Sequence, residues 1–386
     1  MGVTPPAGGT GGLGMSRTLG LLAVLIVVMA ATCVGVGVIT RQRLTQRAVE
    51  REMVVARMGT DQFRAEAARA EAEANNADDP PKFGEARVPA ALNEVPVDGD
   101  RAHKYLTELC AIGPRVSGSP GMAKLQQVVT KHFEAHGATV VRQEFQGRQR
   151  SQRQPVPMCN LIASWHPDRK TRVILCSHYD TRPAAHEEPD RQDWNRPFIS
   201  ANDGTSGVAL FMELAHHLKD LPTAVGVDVV LFDGEEWVFD LGVPGVREGD
   251  AYFLGSEHFA REYDRNKGKL AYTYKAAILL DLCCADGARL AVEGHSWQFA
   301  PRLVEEVWRL AERLGAKSFR YERGFRRAVD VLDDHLALNM VGIPAIDVID
   351  FDYPHWHKLS DTPDKVSAKQ LAEVGRVLAA WVQTQK

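Results

Sequence analysis

Histidines and acids at five separate places in this chain are the residue types of a metal centre. They are His178 in SHYDTRP, Asp203 in SANDGTSG, Glu235 and Glu236 in LFDGEEW, Asp281 in ILLDL, and His357 in PHWHKLSDT. Carboxylates and imidazoles are hard-to-borderline donors, and zinc takes them in catalytic sites that keep one coordination position open. Asp203, Glu236 and His357 suffice for one zinc. His178 and Asp281 suffice to complete a second metal, with Asp203 bridging. Glu235, beside a ligand, is then left for proton transfer, which a carboxylate near zinc performs when its pKa suits. Each fragment has an ordinary reading by itself. A Glu-Glu pair is usually a solvated turn, and an Asp after an apolar run is often a helix N-cap. Shared placement separates these residues from that background. Most of them follow a short apolar run where a buried strand ends, and pockets of open α/β sheets form at the carboxyl ends of strands.

The elements that must hold such a site are legible as periodicity. Residues 100–112 and 119–136 have helical spacing. ATVVRQEFQ and CNLIASW read as strands. TRVILCSHYD, VDVVLFDGEE, KAAILLDL and IPAIDVID are apolar runs that end in polar residues, as central strands do. GTSGVALFMELAHHLKDL, PRLVEEVWRLAERLG and SAKQLAEVGRVLAAWVQT are amphipathic helices, and AYFLGSEHFAREY begins another. Strands alternate with helices. The expected fold is therefore a three-layer α/β/α sandwich with a mixed, mostly parallel central sheet.

The N-terminus has a different character. Residues 1–17 are rich in Gly and Pro and are expected to be disordered. Residues 18–40 carry no charge and are long enough to span a bilayer, as an anchor or a signal-anchor. A cleaved signal peptide is the competing reading, but the apolar run continues well past the small residues near Ala30. Residues 41–95 read as a juxtamembrane helix and linker, broken by Asp78-Asp79-Pro80-Pro81, and 96–386 as the catalytic domain. A signal-like start would place that domain outside the cytoplasm, the expected location. Arg41, Arg43 and Arg47 after the span, against Arg17 before it, argue the opposite orientation. The whole chain is 45% hydrophobic and 25% charged with net charge −4, which gives no polybasic surface for nucleic acid. Its six cysteines form no C-x-x-C pair, so neither a disulfide framework nor a thiolate metal site is implied; Cys283-Cys284 is a remote soft-metal possibility.

The order HxD, NDGxSG, EE, strand-Asp, final His resembles the M28 zinc peptidase clan. Within it the chain is most similar to the animal-type glutaminyl-peptide cyclotransferases and their bacterial relatives, over roughly residues 98–383. Four features carry that likeness. HYDTRPAAHEEPDRQDWNRPFISANDGTSG has a long polar insertion between HxD and NDG. WVFDLGVPGVREGDAYFLGSEHFA separates the Glu pair from the LGS helix. VLDDHLALNMVGIPAIDVI resembles the cyclase DDH segment, and in PHWHKLSDTPDKV a Trp precedes the last His.

The resemblance implies Asp203, Glu236 and His357 as zinc ligands and Glu235 as the proton shuttle. It implies Asp281 and Asp333 as hydrogen-bonded acids beside Glu235, and Trp356 as a pocket wall. His178 and Asp180 match the HxD, which need not bind metal in the cyclases; Asp180 would instead orient a partner of the site. Trp237 is a further pocket candidate, with a packed core Trp as its alternative. The implied reaction is cyclisation of an N-terminal Gln to pyroglutamate with release of ammonia, on peptide or protein N-termini. One zinc suffices because the nucleophile belongs to the substrate, whereas a peptidase must activate water and often uses two metals. The competing readings are an M28 aminopeptidase or amidohydrolase and, more remotely, a non-catalytic binding ectodomain. Animal cyclases carry a disulfide near the HxD; Cys176 has that neighbourhood, but Val208 and Ala209 sit where a partner is expected. His335, His186, His216, His217 and His355 are assigned to structure, packing or surface.

Overall fold

The computed structural model describes residues 92–243, 246–321 and 330–386, together with Gly2. These residues fall almost wholly in one compact unit, Thr60–Val243 with Glu248–Lys386; the other unit, Met1–Gly59 with Pro244–Arg247, is described only at a few positions. The regions expected to be a disordered start (1–17, apart from Gly2), a span (18–40) and nearly all of a juxtamembrane segment (41–95) lie outside the described residues. Among the described residues no helix is long and apolar enough to cross a membrane.

In chain order the elements are α1 (Gly99–Cys110), α2 (Pro120–Ala135), β1 (Thr139–Gly147), β2 (Val156–Trp165), β3 (Thr171–His178), α3 (Thr205–Leu218), β4 (Gly226–Phe232), α4 (Leu254–Asn266), β5 (Thr273–Asp281), β6 (Leu290–Ala291), α5 (Gly294–Phe299), α6 (Pro301–Arg313), β7 (Phe319–Arg320), α7 (His335–Met340), β8 (Ala345–Ile349) and α8 (Ala368–Thr384). The main sheet runs β1-β2-β4-β3-β5-β8. β4, β3, β5 and β8 are mutually parallel, while β2 is antiparallel to both β1 and β4. The mixed, mostly parallel sheet is as expected. Short elements were not expected: the two-residue β6–β7 pair and helices α5 and α7 are too brief to show a period.

Strand parity divides the core. Val173 and Leu175 of β3 face one way, onto a layer containing Leu106 of α1, Val129 of α2, Leu210 of α3, Val307 of α6 and Leu378 of α8. Ile174 and Cys176, one residue out of step, face the other way, onto Phe259 of α4 and Leu338 of α7. Both faces are covered, so the central strands are mostly apolar, with the buried Arg172–Asp228 pair and Asp347 as exceptions, and polar chemistry gathers at their carboxyl ends. Helix starts follow side-chain chemistry: Ser119 accepts from the Met122 amide with Pro120 in the first turn, and Ser367 accepts from the Gln370 amide.

Candidate active site at the strand ends

Three parallel strands end side by side. β3 delivers His178, β4 ends at Phe232 just before Glu235 and Glu236, and β5 delivers Asp281. Asp203 sits one residue ahead of Gly204, which caps α3. Gly204 is required there: its φ is +72°, and a Cβ would lie 2.6 Å from the His178 ring. His357 arrives from the loop after β8, itself at φ +53°. A non-glycine residue in that region is uncommon, and such residues gather at functional sites.

These side chains converge. His178 Nε2 lies 3.1 Å from Asp203 Oδ1 and 3.3 Å from Asp281 Oδ1. His357 Nε2 contacts Glu236 Oε1 and lies 3.7 Å from Asp203 Oδ2. His178, Asp203 and Glu236 offer donor atoms all within 4.8 Å of one another. Every residue of the sequence-derived ligand set is therefore in one place, and His178 stands as near to Asp203 as His357 does. Asp180 takes the role expected of it, its two oxygens accepting the amides of Glu235 and Glu236 at 3.1 Å each. That pins the backbone of the acidic pair.

The electrostatics are those of a cation site. Asp203, Glu236 and His178 are each at most 3% exposed. Asp203 Oδ2, Glu236 Oε2 and His178 Nδ1 have no hydrogen-bond partner within the protein. Buried acceptors are normally satisfied, so this donor set fits a divalent metal. Burial and the neighbouring Glu236 push the Asp203 carboxyl well up. Burial works the same way on Glu236, but His357 and Arg182 hold it down to about 2. Burial would lower His178, yet Asp180, Asp203 and Asp281 raise it well above the ordinary imidazole value. Burial, with Glu236, Asp333 and Asp334 around it, raises Glu235 well above the usual carboxylate range. Two adjacent glutamates thus titrate in opposite directions, the environment-driven split that marks acid–base assignments.

Around this centre, burial and Asp281 push Asp333 up to about 7, and burial with Asp333 and Asp281 nearby raises Asp347 well above the usual carboxylate range. The ring of Trp356 stacks on His357 at 4.0 Å and meets Phe351 at 5.1 Å. Trp237 directly follows the acidic pair, is 3% exposed and packs edge-on against Phe239 at 5.4 Å. The five described cysteines are all buried and free, Cys176 included, and none joins a cluster of metal-ligating side chains among the described residues.

Sequence reasoning missed two supporting residues. Arg182, buried and 3.6 Å from Glu236, also donates to Tyr252 Oη at 2.9 Å. Asp361 accepts from the Asn202 amide at 2.9 Å, the Asp203 amide at 3.2 Å and Tyr353 Oη at 2.7 Å, fixing the loop that carries Asp203. Both lie inside quoted motifs, SHYDTRP and HKLSDTPDKV, but no spacing rule singles them out.

Comparison with known proteins converges on the same centre. The sequence pattern of peptidase family M28 matches residues 160–382, from β2 to the end of α8. The chain belongs to peptidase family M28. Among solved structures, the glutaminyl cyclase of Fimbriiglobus ruber is 65% identical and superposes with a TM-score of 0.75, covering 78% of this chain and 100% of that one. A leucine aminopeptidase precursor from Bacteroides thetaiotaomicron is 30% identical with a TM-score of 0.69, covering 77% and 100%. The glutaminyl-peptide cyclotransferase of Bos taurus is 23% identical over 247 residues, which are 58% of this chain and 65% of the bovine protein, just under two thirds of its length.

Proposed function

We propose that this M28-family chain is a zinc-dependent glutaminyl-peptide cyclotransferase, converting an N-terminal Gln of a peptide or protein to pyroglutamate. The observation that carries the reading is the 65% identity to the Fimbriiglobus ruber glutaminyl cyclase over the whole of that chain. The intact cluster of acids and imidazoles at the strand ends supports it.

In this reading the substrate's α-amine is the nucleophile. It attacks the γ-carbonyl of its own glutamine side chain, a C–N bond closes the ring, the bond to the side-chain nitrogen breaks, and ammonia departs. One proton must travel from the attacking amine to the leaving nitrogen. Glu235 suits that transfer, because burial and the surrounding acids raise its carboxyl and so favour its holding a proton in transit. Asp203, Glu236 and His357 hold a single zinc, which when bound supplies Lewis-acid polarisation of the γ-carbonyl. Asp281 and Asp333 extend the proton path beside Glu235, and His178 orients Asp203 and Asp281 rather than holding a second metal. Trp356 walls the pocket, with Trp237 behind the acidic pair. Arg182 offsets the charge of Glu236. The reading extends to location: residues 18–40 anchor the enzyme in a membrane, supported by that uncharged run. Alkaline extraction that leaves the chain in the membrane fraction agrees with the anchor; release into the supernatant overturns it.

The second reading, an M28 aminopeptidase, is favoured by the likeness to the Bacteroides leucine aminopeptidase precursor. A blocked substrate separates the readings. Ammonia released from a Gln-initiated peptide, and none from its N-acetylated form, supports cyclisation, because the free amine must be the nucleophile. Ammonia from both indicates a side-chain amidase, and free Gln indicates the aminopeptidase.

A further inference from the structure

Three histidines meet at the far end of α3. α2 carries His132 in its last turn and His136 as its C-cap, and α3 carries His216 in its last turn. The rings of His132 and His136 are 4.3 Å apart, those of His136 and His216 4.1 Å, and those of His132 and His216 5.7 Å. Each offers a ring nitrogen within 4.8 Å of the other two. All three are half-buried, so an ion can reach them.

Their hydrogen bonds preset the rings. His132 Nε2 lies 2.8 Å from the Met212 carbonyl oxygen, and His136 Nδ1 lies 2.8 Å from the His132 carbonyl oxygen. A carbonyl only accepts, so in the neutral rings those nitrogens carry the protons. Nδ1 of His132 and Nε2 of His136 are left as lone pairs. Metal-ligating histidines make this contact with their second nitrogen, which fixes tautomer and orientation. His216 Nε2 is 2.8 Å from Tyr105 Oη, a hydroxyl able to accept from it.

The surroundings favour a cation. The C-terminal turns of two helices converge here, and the negative end of each helix dipole attracts positive charge. Arg101, the neighbouring cation, is engaged by Glu213 at 2.6 and 2.8 Å. Burial lowers His132, and burial with Arg101 and His136 nearby lowers His216 to about 4. At His132 and His216 burial therefore favours the neutral form, the form that binds metal. Three imidazole nitrogens with no carboxylate among the ligands suit a borderline divalent ion rather than magnesium or calcium.

We infer that His132, His136 and His216 form a second metal site, which takes one Zn2+-like or Cu2+-like ion and clamps α2 to α3. It is separate from the reaction centre: roughly 16 Å of helix lies between Thr205 and His216.

The test uses the full chain without an affinity tag, dialysed against Zn2+ alone, with zinc counted by mass spectrometry. The wild type is expected to hold one zinc more than His136→Asn or His216→Asn. Turnover should be unchanged in both variants, and circular dichroism in chelator should show both folded. Tyr105→Phe should keep the extra zinc but bind it about tenfold more weakly. A measurement that needs no variant is protection of His132, His136 and His216 from diethylpyrocarbonate by Zn2+ in the wild type. Equal zinc counts in the wild type and the folded variants, or no protection by Zn2+, would overturn the assignment.

Discussion

The two ends of α3 hold clusters of opposite character. At the N-terminal end, Asp203 and its neighbours are acid-rich, deeply buried and framed by positive φ at Gly204 and His357. At the C-terminal end, three half-buried imidazoles from the last turns of α2 and α3 and the cap of α2 meet, and the neighbouring Glu213 is engaged by Arg101. The first cluster stores like charge and backbone strain that folding alone would not select, and such strain gathers at functional sites. The second carries no such strain, and its tautomers are set by helix carbonyls. Ligand type and strain, rather than mere proximity of histidines, therefore separate a reaction centre from a structural clamp.

The largest effect on turnover should come from His357→Ala, which removes a ligand outright. It is expected to lose the zinc of the reaction centre together with activity. The zinc count is best made in the His136→Asn background, so that the second site does not mask the loss; unchanged zinc there contradicts the ligand assignment. Next comes Glu235→Gln. The reading requires kcat to fall by about 10²–10⁴-fold with zinc retained, because a proton carrier is lost and no ligand is. Surviving turnover would mean that another group moves the proton.

Asp180→Asn is milder. It keeps one acceptor for the amides of Glu235 and Glu236 and puts an NH2, which cannot accept, opposite the other, so metal affinity or kcat should drop by about 10–100-fold, the usual size for an outer partner of a metal site. The smallest effect on turnover is expected from Glu293→Gln, a group with no contact to the proposed zinc ligands or to Glu235. The Glu293 carboxylate accepts from the amides of His295, Ser296 and Val331 at 2.8, 2.6 and 2.9 Å. Burial opposes its charge, but His335 and these donors hold it down to about 2. A lowered carboxyl stabilises the fold above its unfolded pKa, and that contribution fades as pH falls from about 4.5 toward 2. Acid titration of stability should therefore be shallower over that range in Glu293→Gln, with kcat near neutral pH unchanged. An unaltered acid limb would show that Glu293 is not the group responsible.

What the sequence made legible followed from where the polar residues fall. Apolar runs ending in His178, Glu235-Glu236 and Asp281 announced both the central strands and their polar ends, because strands buried on both faces are mostly apolar along their length. The outer partners were not legible. Arg182 and Asp361 act through contacts made by loops folding back across strand ends, and local periodicity carries no trace of those. His216 read as packing or surface, since its partners His132 and His136 come from another helix. The spacing of four between those two would have been a hint, but one too common to act on. Helices α5 and α7 escaped because six residues are too few to show a period.

The most direct test is mass spectrometry of a Gln-initiated peptide incubated with the zinc-loaded protein. A product lighter by the mass of ammonia, with every residue still present, is the predicted result. A product shortened by its entire first residue would contradict the cyclase reading and make this chain an aminopeptidase.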